Sequence, residues 1–406
     1  MGGKKSPLRV KPTSLSEKRL ILFGAGMTGR GQVAQLAFED GWKLTLVDRD
    51  ARLVELLRQT GQYTVRLLGN VPRDVIIRGY QSLHTSDTAA LIGAVQQADL
   101  VVTSVLEPNL PEVGKILAPA LVARLQSGNS QPLNIIAAEN MDHSSTDLQG
   151  YVRQHIPTSL LAAFERTLGF PNSMISRVVP IADDPLHILT EAYSEWTADL
   201  HQVVGRPPTL AGLEWVTNQT ARLQRKLYIH NTGHVICGYL GWLGSYRYIH
   251  EAAQNPIIMG HIRAAITESG EAVSREHGFA RAEVKSYEQH LLGRLIISEM
   301  PDDLRRVIRH PIRKLGMEER LLGPLRLCEK FDLPRAWLCY GVAAVLAGCK
   351  IPYDYKEYDD QSERVRKALE QAGPVQALRD LVGFQPTALT AKLIANAYDE
   401  VNARNI

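Results

Sequence analysis

Short apolar runs recur along the first part of the chain, each closed by Gly, Asp or Asn and followed by an amphipathic stretch. Residues 19–23 (RLILF) run into glycines and a helical pattern over 28–40, and residues 43–47 (KLTLV) stop at Asp48 before a second helical pattern over 51–59. Residues 63–84 are β-rich and broken by turns. Two further buried strands, 98–104 (ADLVVTS) and 133–138 (LNIIAA), have helical sequence between them. Strands that are apolar throughout, rich in β-branched residues and separated by helices predict βαβ units around a parallel sheet. Beyond about residue 212 the period becomes helical, over 213–245, 256–277, 281–292, 318–331, 335–347, 361–372, 374–382 and 387–401. The expected architecture is an α/β, Rossmann-type doubly wound domain at 18–211 followed by a mostly α-helical domain at 212–406. The Val/Ile-rich pieces 175–181 and 188–196 are candidates to complete the first domain's sheet.

Composition removes several function classes. A chain of 406 residues with 45% hydrophobic content can bury two or three cores. Lys and Arg exceed Asp and Glu by 46 to 43, and Lys4, Lys5, Arg9, Lys11 and Lys18 all lie close to the N-terminus. The rest of the chain is near neutral, which gives no support to a partner made of nucleic acid or to a membrane surface. Residues 1–17 lack the apolar core of a signal peptide and read as a disordered extension. The uncharged runs 227–246 and 336–349 are too polar or too short to span a bilayer. Cys237, Cys328, Cys339 and Cys349 have neither pair spacing nor ligand spacing, so a cytoplasmic protein without a metal site is expected.

Gly24-Ala25-Gly26-Met27-Thr28-Gly29 fits G-x-G-x-x-G in the context that gives the pattern meaning. It follows a strand, opens a helix, and is followed by an acidic residue, Asp48, at the end of the next strand. Gly24 allows the tight turn, Gly26 lets backbone approach a pyrophosphate, and Gly29 lets the helix pack on the strand. Asp48 would accept from adenosine ribose hydroxyls and repel a 2′-phosphate, favouring NAD over NADP, although Arg49 stands beside it. Thr103-Ser104-Val105 and Glu139-Asn140-Met141 end the next two strands. Both are expected to border the nicotinamide, because ligands of open parallel sheets lie beyond the strands' carboxyl ends. The expected cofactor-binding set is Gly24, Gly26, Met27, Thr28, Gly29, Asp48, Thr103, Val105 and Glu139.

A second constellation opens the long uncharged run. On a regular helix, turning by about 100° per residue, Lys226, His230, His234 and Asn231 fall in that angular order. They occupy one broad face of an apolar, Gly-rich element. Burial disfavours the charge on a lysine and moves it toward use as a general base. Alcohol oxidation needs such a base, with neutral donors to steady the alkoxide.

Five segments carry a resemblance: FGAGMTGRG (23–31), AENM (138–141), GFPNSMISRVVP (169–180), KLYIHNTGHVICGYLG (226–241) and RHPIRKL with the following ERLLGP (309–324). In this order they resemble the mannitol-1-phosphate 5-dehydrogenase branch of the polyol-specific long-chain dehydrogenases, over roughly residues 19–350. The resemblance implies metal-independent, NAD-dependent interconversion of mannitol 1-phosphate and fructose 6-phosphate. It also implies Lys226 as general base and acid, Asn140 and Asn231 on the alkoxide or carbonyl oxygen, and His234 orienting the substrate hydroxyl, in a cleft between the domains. Three departures bear on the substrate: Ser176-Arg177 in place of Asp-Arg, Leu106-Glu107-Pro108 where a glycine is expected, and no Asn-Pro segment after Leu291.

A substrate phosphate needs cations. Arg309, Arg313, Lys314 and Arg320 cluster around Pro311, read as a helix breaker, with Arg177 a weaker candidate. The expected partner is a small polyol phosphate or sugar phosphate, and the chain a monomer or homodimer. The alternatives are a same-family enzyme for a free polyol or hexuronate, a β-hydroxyacid dehydrogenase, and a dinucleotide sensor without chemistry. The histidine three residues after Asn231 argues against the second, and retention of Lys226 argues against the third.

Overall fold

The computed structural model describes residues 17–69, 71–139, 143–180, 183–352 and 360–403. The extension expected at 1–17 therefore lies, Glu17 apart, outside the described residues. The chain divides into two compact units, the first ending at Thr217 and the second beginning at Asn218.

The first unit begins with β1 (Arg19–Phe23), β2 (Lys43–Asp48), β3 (Gln62–Leu68), β4 (Arg73–Arg78), β5 (Gln81–His84), β6 (Leu100–Thr103), β7 (Leu133–Ala137) and β8 (Leu168–Gly169). Six of them form one parallel sheet in the order β5-β2-β1-β6-β7-β8, the doubly wound arrangement. Alternation along each strand loads both faces. Leu20, Leu22, Val102 and Ile136 enter one apolar cluster, while Ile21, Phe23, Val101 and Ile135 enter the other. Each such side chain contributes about 1.5–3 kcal/mol on burial. The sheet is therefore covered on both sides, which is why its strands lack polar alternation.

The pieces at 175–181 and 188–196 do not complete this sheet. They supply β9 (Ser173–Ser176), β10 (His187–Glu191) and β11 (Glu195–Asp199) to two separate sheets, β10-β3-β4 and β12-β11-β9, where β12 is Glu214–Val216. Their partners are instead β3 and β12, paired at His187 with Thr64 and at Thr197 with Glu214. Asn134 donates through Nδ2 to Val204 O (3.1 Å) and accepts through Oδ1 from Val204 N (3.0 Å), so its amide pairs with passing backbone as a strand would. Because β12 pairs with β11, the helix expected from 213 begins only at Gln219.

The second unit is helical. Its apolar core is built largely on Asn231–Leu243, Pro256–His277 and Ala336–Gly348. Asn255 caps the longest of these by accepting from Ile257 N and Ile258 N, and Gly278 at φ 71° ends it. Pro311 opens a short helix, Pro311–Lys314, instead of breaking one, because the first helical position needs no amide donor. The patterns at 361–372 and 374–382 are two helices within Gln361–Val382, parted at Gly373, whose φ 75° and ψ 176° are not helical. All four cysteines are buried thiols, and burial pushes Cys237 and Cys328 up to about 12. They act as small apolar side chains.

One long-range brace carries weight in this core. The Glu268 carboxylate accepts from Trp337 N (3.0 Å) and Leu338 N (2.9 Å), capping Ala336–Gly348 from a helix far earlier in the sequence. Glu268→Ala leaves those amides unsatisfied and is expected to cost about 2–4 kcal/mol, with Glu268→Gln recovering part of it. Thermal unfolding followed by circular dichroism measures both; an unchanged melting temperature in the alanine variant would refute the brace.

Candidate active site

Parallel strands end on one edge of their sheet. Phe23 pairs with Val47 on one side and Thr103 on the other, and Thr103 pairs with Ala137. Gly24, Asp48, Ser104 and Glu139 therefore follow on the same edge. Gly24 (φ +87°) donates its amide to Val47 O (2.8 Å), and a Cβ there would overlap the Ser104 carbonyl oxygen. A Cβ on Gly29 would overlap the Gly24 carbonyl oxygen. At Gly26 a Cβ would meet nothing within 4 Å, so backbone is bare to open space where the helix begins. These residues fit a dinucleotide: Gly26, Met27 and Thr28 would hold its diphosphate and Asp48 its ribose. Asp48 Oδ1 accepts from Asp50 N (2.9 Å), and the Arg49 guanidinium donates to Asn109 Oδ1 (3.0 Å).

Arg30, not singled out in the sequence, anchors this turn from beneath. It is fully buried, donating Nε to Ala25 O and Nη1 to Pro185 O (2.6 Å each) and stacking 5.0 Å from the Tyr63 ring. The helix it belongs to starts with a π-helical turn, Gly29–Ala34.

The β6 and β7 ends are tied together. Glu139 Oε1 accepts from Val105 N (2.8 Å), its Oε2 from Leu106 N (3.1 Å), and Thr103 Oγ1 donates at 3.5 Å. Burial pushes the Glu139 carboxyl up to about 7, against the lowering by those donors. Its two oxygens thus shape the 103–106 turn. Leu106, where a glycine was expected, takes φ 69° and ψ 138°, a conformation that side chains avoid. Asn140 lies outside the described residues.

In the second unit the segment around Lys226 departs from a regular helix. Lys226–His230 is a π-helical turn between Gln219–Arg225 and Asn231–Leu243, and the Asn231 amide reaches back to Lys226 O. The wider turn brings positions 226 and 231 nearer in phase than a regular helix would. Lys226 is buried, at 8% exposure, whereas Asn231 and His234 are partly exposed. The turn is held from outside by Ser269 Oγ, which donates to Tyr228 O, and by Arg225, bonded to Glu283 (2.5 Å) and stacked 4.5 Å from Tyr287.

Charges gather around it. His234 Nε2 lies 3.0 Å from Asp302 Oδ2, and His230 Nδ1 lies 3.4 Å from Arg294 Nη1. The two histidine rings stack 6.2 Å apart. Burial first, then Arg294, His234, Lys226 and Arg320, hold His230 well below its usual value, so its ring is neutral. Neither Asp302 nor Arg294 was singled out in the sequence. They are 68 and 64 residues from their partners, and no local spacing announces them.

The expected phosphate cations do not share one environment. Lys314 is buried, Arg309 partly buried and Arg313 exposed. Arg320 pairs with Glu319 (2.9 Å). Arg177 is taken up inside the first unit, donating to Tyr193 O, Gly31 O and Gln35 Oε1, and is a brace there rather than a ligand for phosphate. Among the described residues no three His, Cys, Asp or Glu side chains are grouped to hold a metal ion, and no helix is long and apolar enough to cross a membrane.

Comparison with known proteins agrees with this division. Residues 18–212 match the mannitol dehydrogenase Rossmann domain and residues 221–399 the mannitol dehydrogenase C-terminal domain. The mannitol-1-phosphate 5-dehydrogenase of Brevibacillus brevis is 34% identical over 366 residues, covering 90% of this chain and 93% of that one. The ternary complex of Pseudomonas fluorescens mannitol 2-dehydrogenase with NAD and D-mannitol superposes with a TM-score of 0.72 at 18% identity, covering 95% and 92% of the two chains. A substrate-free D-sorbitol dehydrogenase superposes with a TM-score of 0.78 at 17% identity, covering 95% and 93%. These two show the shared fold, and the two domain matches together span most of the sequence: the chain belongs to the mannitol dehydrogenase family.

Proposed function

We propose that this chain is an NAD-dependent polyol-phosphate dehydrogenase of the cytoplasm, interconverting mannitol 1-phosphate and fructose 6-phosphate. The observation that carries the reading is Lys226, buried on a π-helical turn with Asn231 one wide turn on and His234 beyond it. The relative from Brevibacillus brevis, named for that reaction, supports the choice of substrate.

In oxidation the Lys226 amine takes the proton of the reacting hydroxyl at Nζ, and in reduction it returns that proton to the carbonyl oxygen. The Asn231 amide donates to the oxygen on which negative charge develops, and Asn140 is proposed as a second donor. Both are neutral donors, placed before charge appears. His234 orients the substrate hydroxyl. Bound NAD supplies the hydride acceptor, held by Gly24, Gly26, Met27, Thr28, Gly29 and Asp48, with Thr103, Val105 and Glu139 shaping the edge beside it. The guanidinium groups of Arg294 and Arg320 near His230 favour an anionic substrate. Arg309, Arg313 and Lys314 are proposed to supply the phosphate contacts.

Removing the amine with Lys226→Ala is expected to lower kcat by at least about a thousandfold, while NADH affinity by fluorescence titration stays near wild type. Turnover that survives the substitution refutes the base assignment. Arg309→Ala and Arg313→Ala are expected to raise KM for fructose 6-phosphate about tenfold or more, with little change for fructose. Equal effects on both substrates would remove these arginines from the phosphate contacts.

A further inference from the structure

The contact between His234 and Asp302 is more than an ion pair at the edge of the unit. Asp302 side-chain exposure is 15% and that of His234 is 26%, so both are mostly out of water. Arg306, four residues on, holds the same carboxylate with Nε on Oδ1 at 2.8 Å and Nη2 on Oδ2 at 2.5 Å, sharing Oδ2 with His234. The next acidic residue does something different. Asp303 accepts from Arg305 N (2.9 Å) to cap Leu304–Val307 and pairs with the Arg305 side chain.

The backbone at this point is pinned as firmly as the side chain. Ile249 N donates to Asp302 O (2.9 Å), Leu304 N donates to Arg247 O (3.0 Å), and Tyr248 and Asp303 form an antiparallel bridge. Asp302 therefore has neither backbone nor side-chain freedom, and it meets His234 from a segment 68 residues later.

We propose that Asp302, braced by Arg306, is a positioning residue that fixes the ring orientation and tautomer of His234. The inference rests on the reading of His234 given under Proposed function. A carboxylate is an acceptor only, so the ring nitrogen facing it, Nε2, carries the proton. In the neutral ring the lone pair then belongs to Nδ1, and the substrate hydroxyl donates to Nδ1. Burial pushes the Asp302 carboxyl up, but His234 and Arg306 outweigh it and hold the group well below the usual carboxylate range. It stays an acceptor at every working pH. A wrong tautomer would turn Nδ1 from acceptor into donor without moving a heavy atom.

The test is Asp302→Ala in the full chain with 15N-labelled histidine. With the oxygen that faces Nε2 removed, nothing holds the proton on that nitrogen, and the ring relaxes to a mixture of its two tautomers. The 15N imidazole shifts of His234 are expected to move from the Nε2–H pattern toward the average of the two forms. Loss of kcat by about 10- to 100-fold is expected, the scale seen when an orienting partner is lost from a functional histidine, with NADH affinity and melting temperature near wild type. Should that variant unfold, Arg306→Gln gives an independent reading: kcat down several-fold with the Nε2–H tautomer retained. An unchanged tautomer in Asp302→Ala, loss of the fixed tautomer without kinetic loss, or an unaltered kcat in Arg306→Gln would each overturn the proposal. Failure of the wild-type chain to turn over any polyol, sugar phosphate or hexuronate would instead remove the functional reading, and the His234 shifts would still decide whether Asp302 sets the tautomer.

Discussion

Burial of Lys226 is the constraint around which the helical unit is arranged. A polar or charged side chain taken from water costs several kcal/mol unless its surroundings compensate. Around the turn that buries Lys226, His230, His234, Asp302, Arg294 and Arg320 are drawn to the same region. The apolar helices on which the turn is mounted, Asn231–Leu243 and Pro256–His277, supply the rigidity. The outlying contacts from Ser269, Glu283 and Tyr287 hold the turn open. Removing water from such a group strengthens every remaining electrostatic contact within it, so the same burial that threatens stability would make the proposed proton chemistry effective.

The first unit solves a different problem with related means. It leaves bare backbone facing open space where the glycine turn leaves β1, as the proposed dinucleotide site requires. Both functional segments contain a π-helical turn, Gly29–Ala34 in one unit and Lys226–His230 in the other. Such turns are rare in helices and gather at functional sites, because a helix tolerates one only when neighbouring groups satisfy the hydrogen bonds it misplaces. Arg30 and Ser269 act as those neighbours, the first bonded to Ala25 O and the second to Tyr228 O.

Much of this was legible in the sequence, and the illegible part has physical causes. The parallel sheet was readable because strands buried on both faces cannot alternate, as 19–23 and 133–138 show. The helix Pro256–His277 was readable to the residue because Asn255, Pro256 and Gly278 punctuate it. The strands at 173–199 were recognisable as β-sequence but not as partners. Pairing His187 with Thr64 is a long-range choice that local pattern does not encode. At Leu106 the chain takes a glycine's conformation without a glycine, at a strain of about 1–3 kcal/mol that the Glu139 clamp helps to hold. In the candidate site the spacing of Lys226, Asn231 and His234 picked out the three residues but misplaced their angles, since it assumed a regular helix. Asp302 and Arg294 gave no signal, being contributed by other segments.

The wide turn at Lys226 also changes what the motif's spacing means. A π turn is a helix that has taken in one residue beyond its regular count and kept its axis. Drop that residue, and everything on one side of the gap rotates by about 100° relative to the other. The interval between Lys226 and Asn231 is therefore an angle written as a number of letters. Two chains with the same residue types but one fewer position between them would align well on paper and point their side chains in different directions. Insertions and deletions, usually the cheapest changes on a protein surface, are here as consequential as replacing the lysine itself.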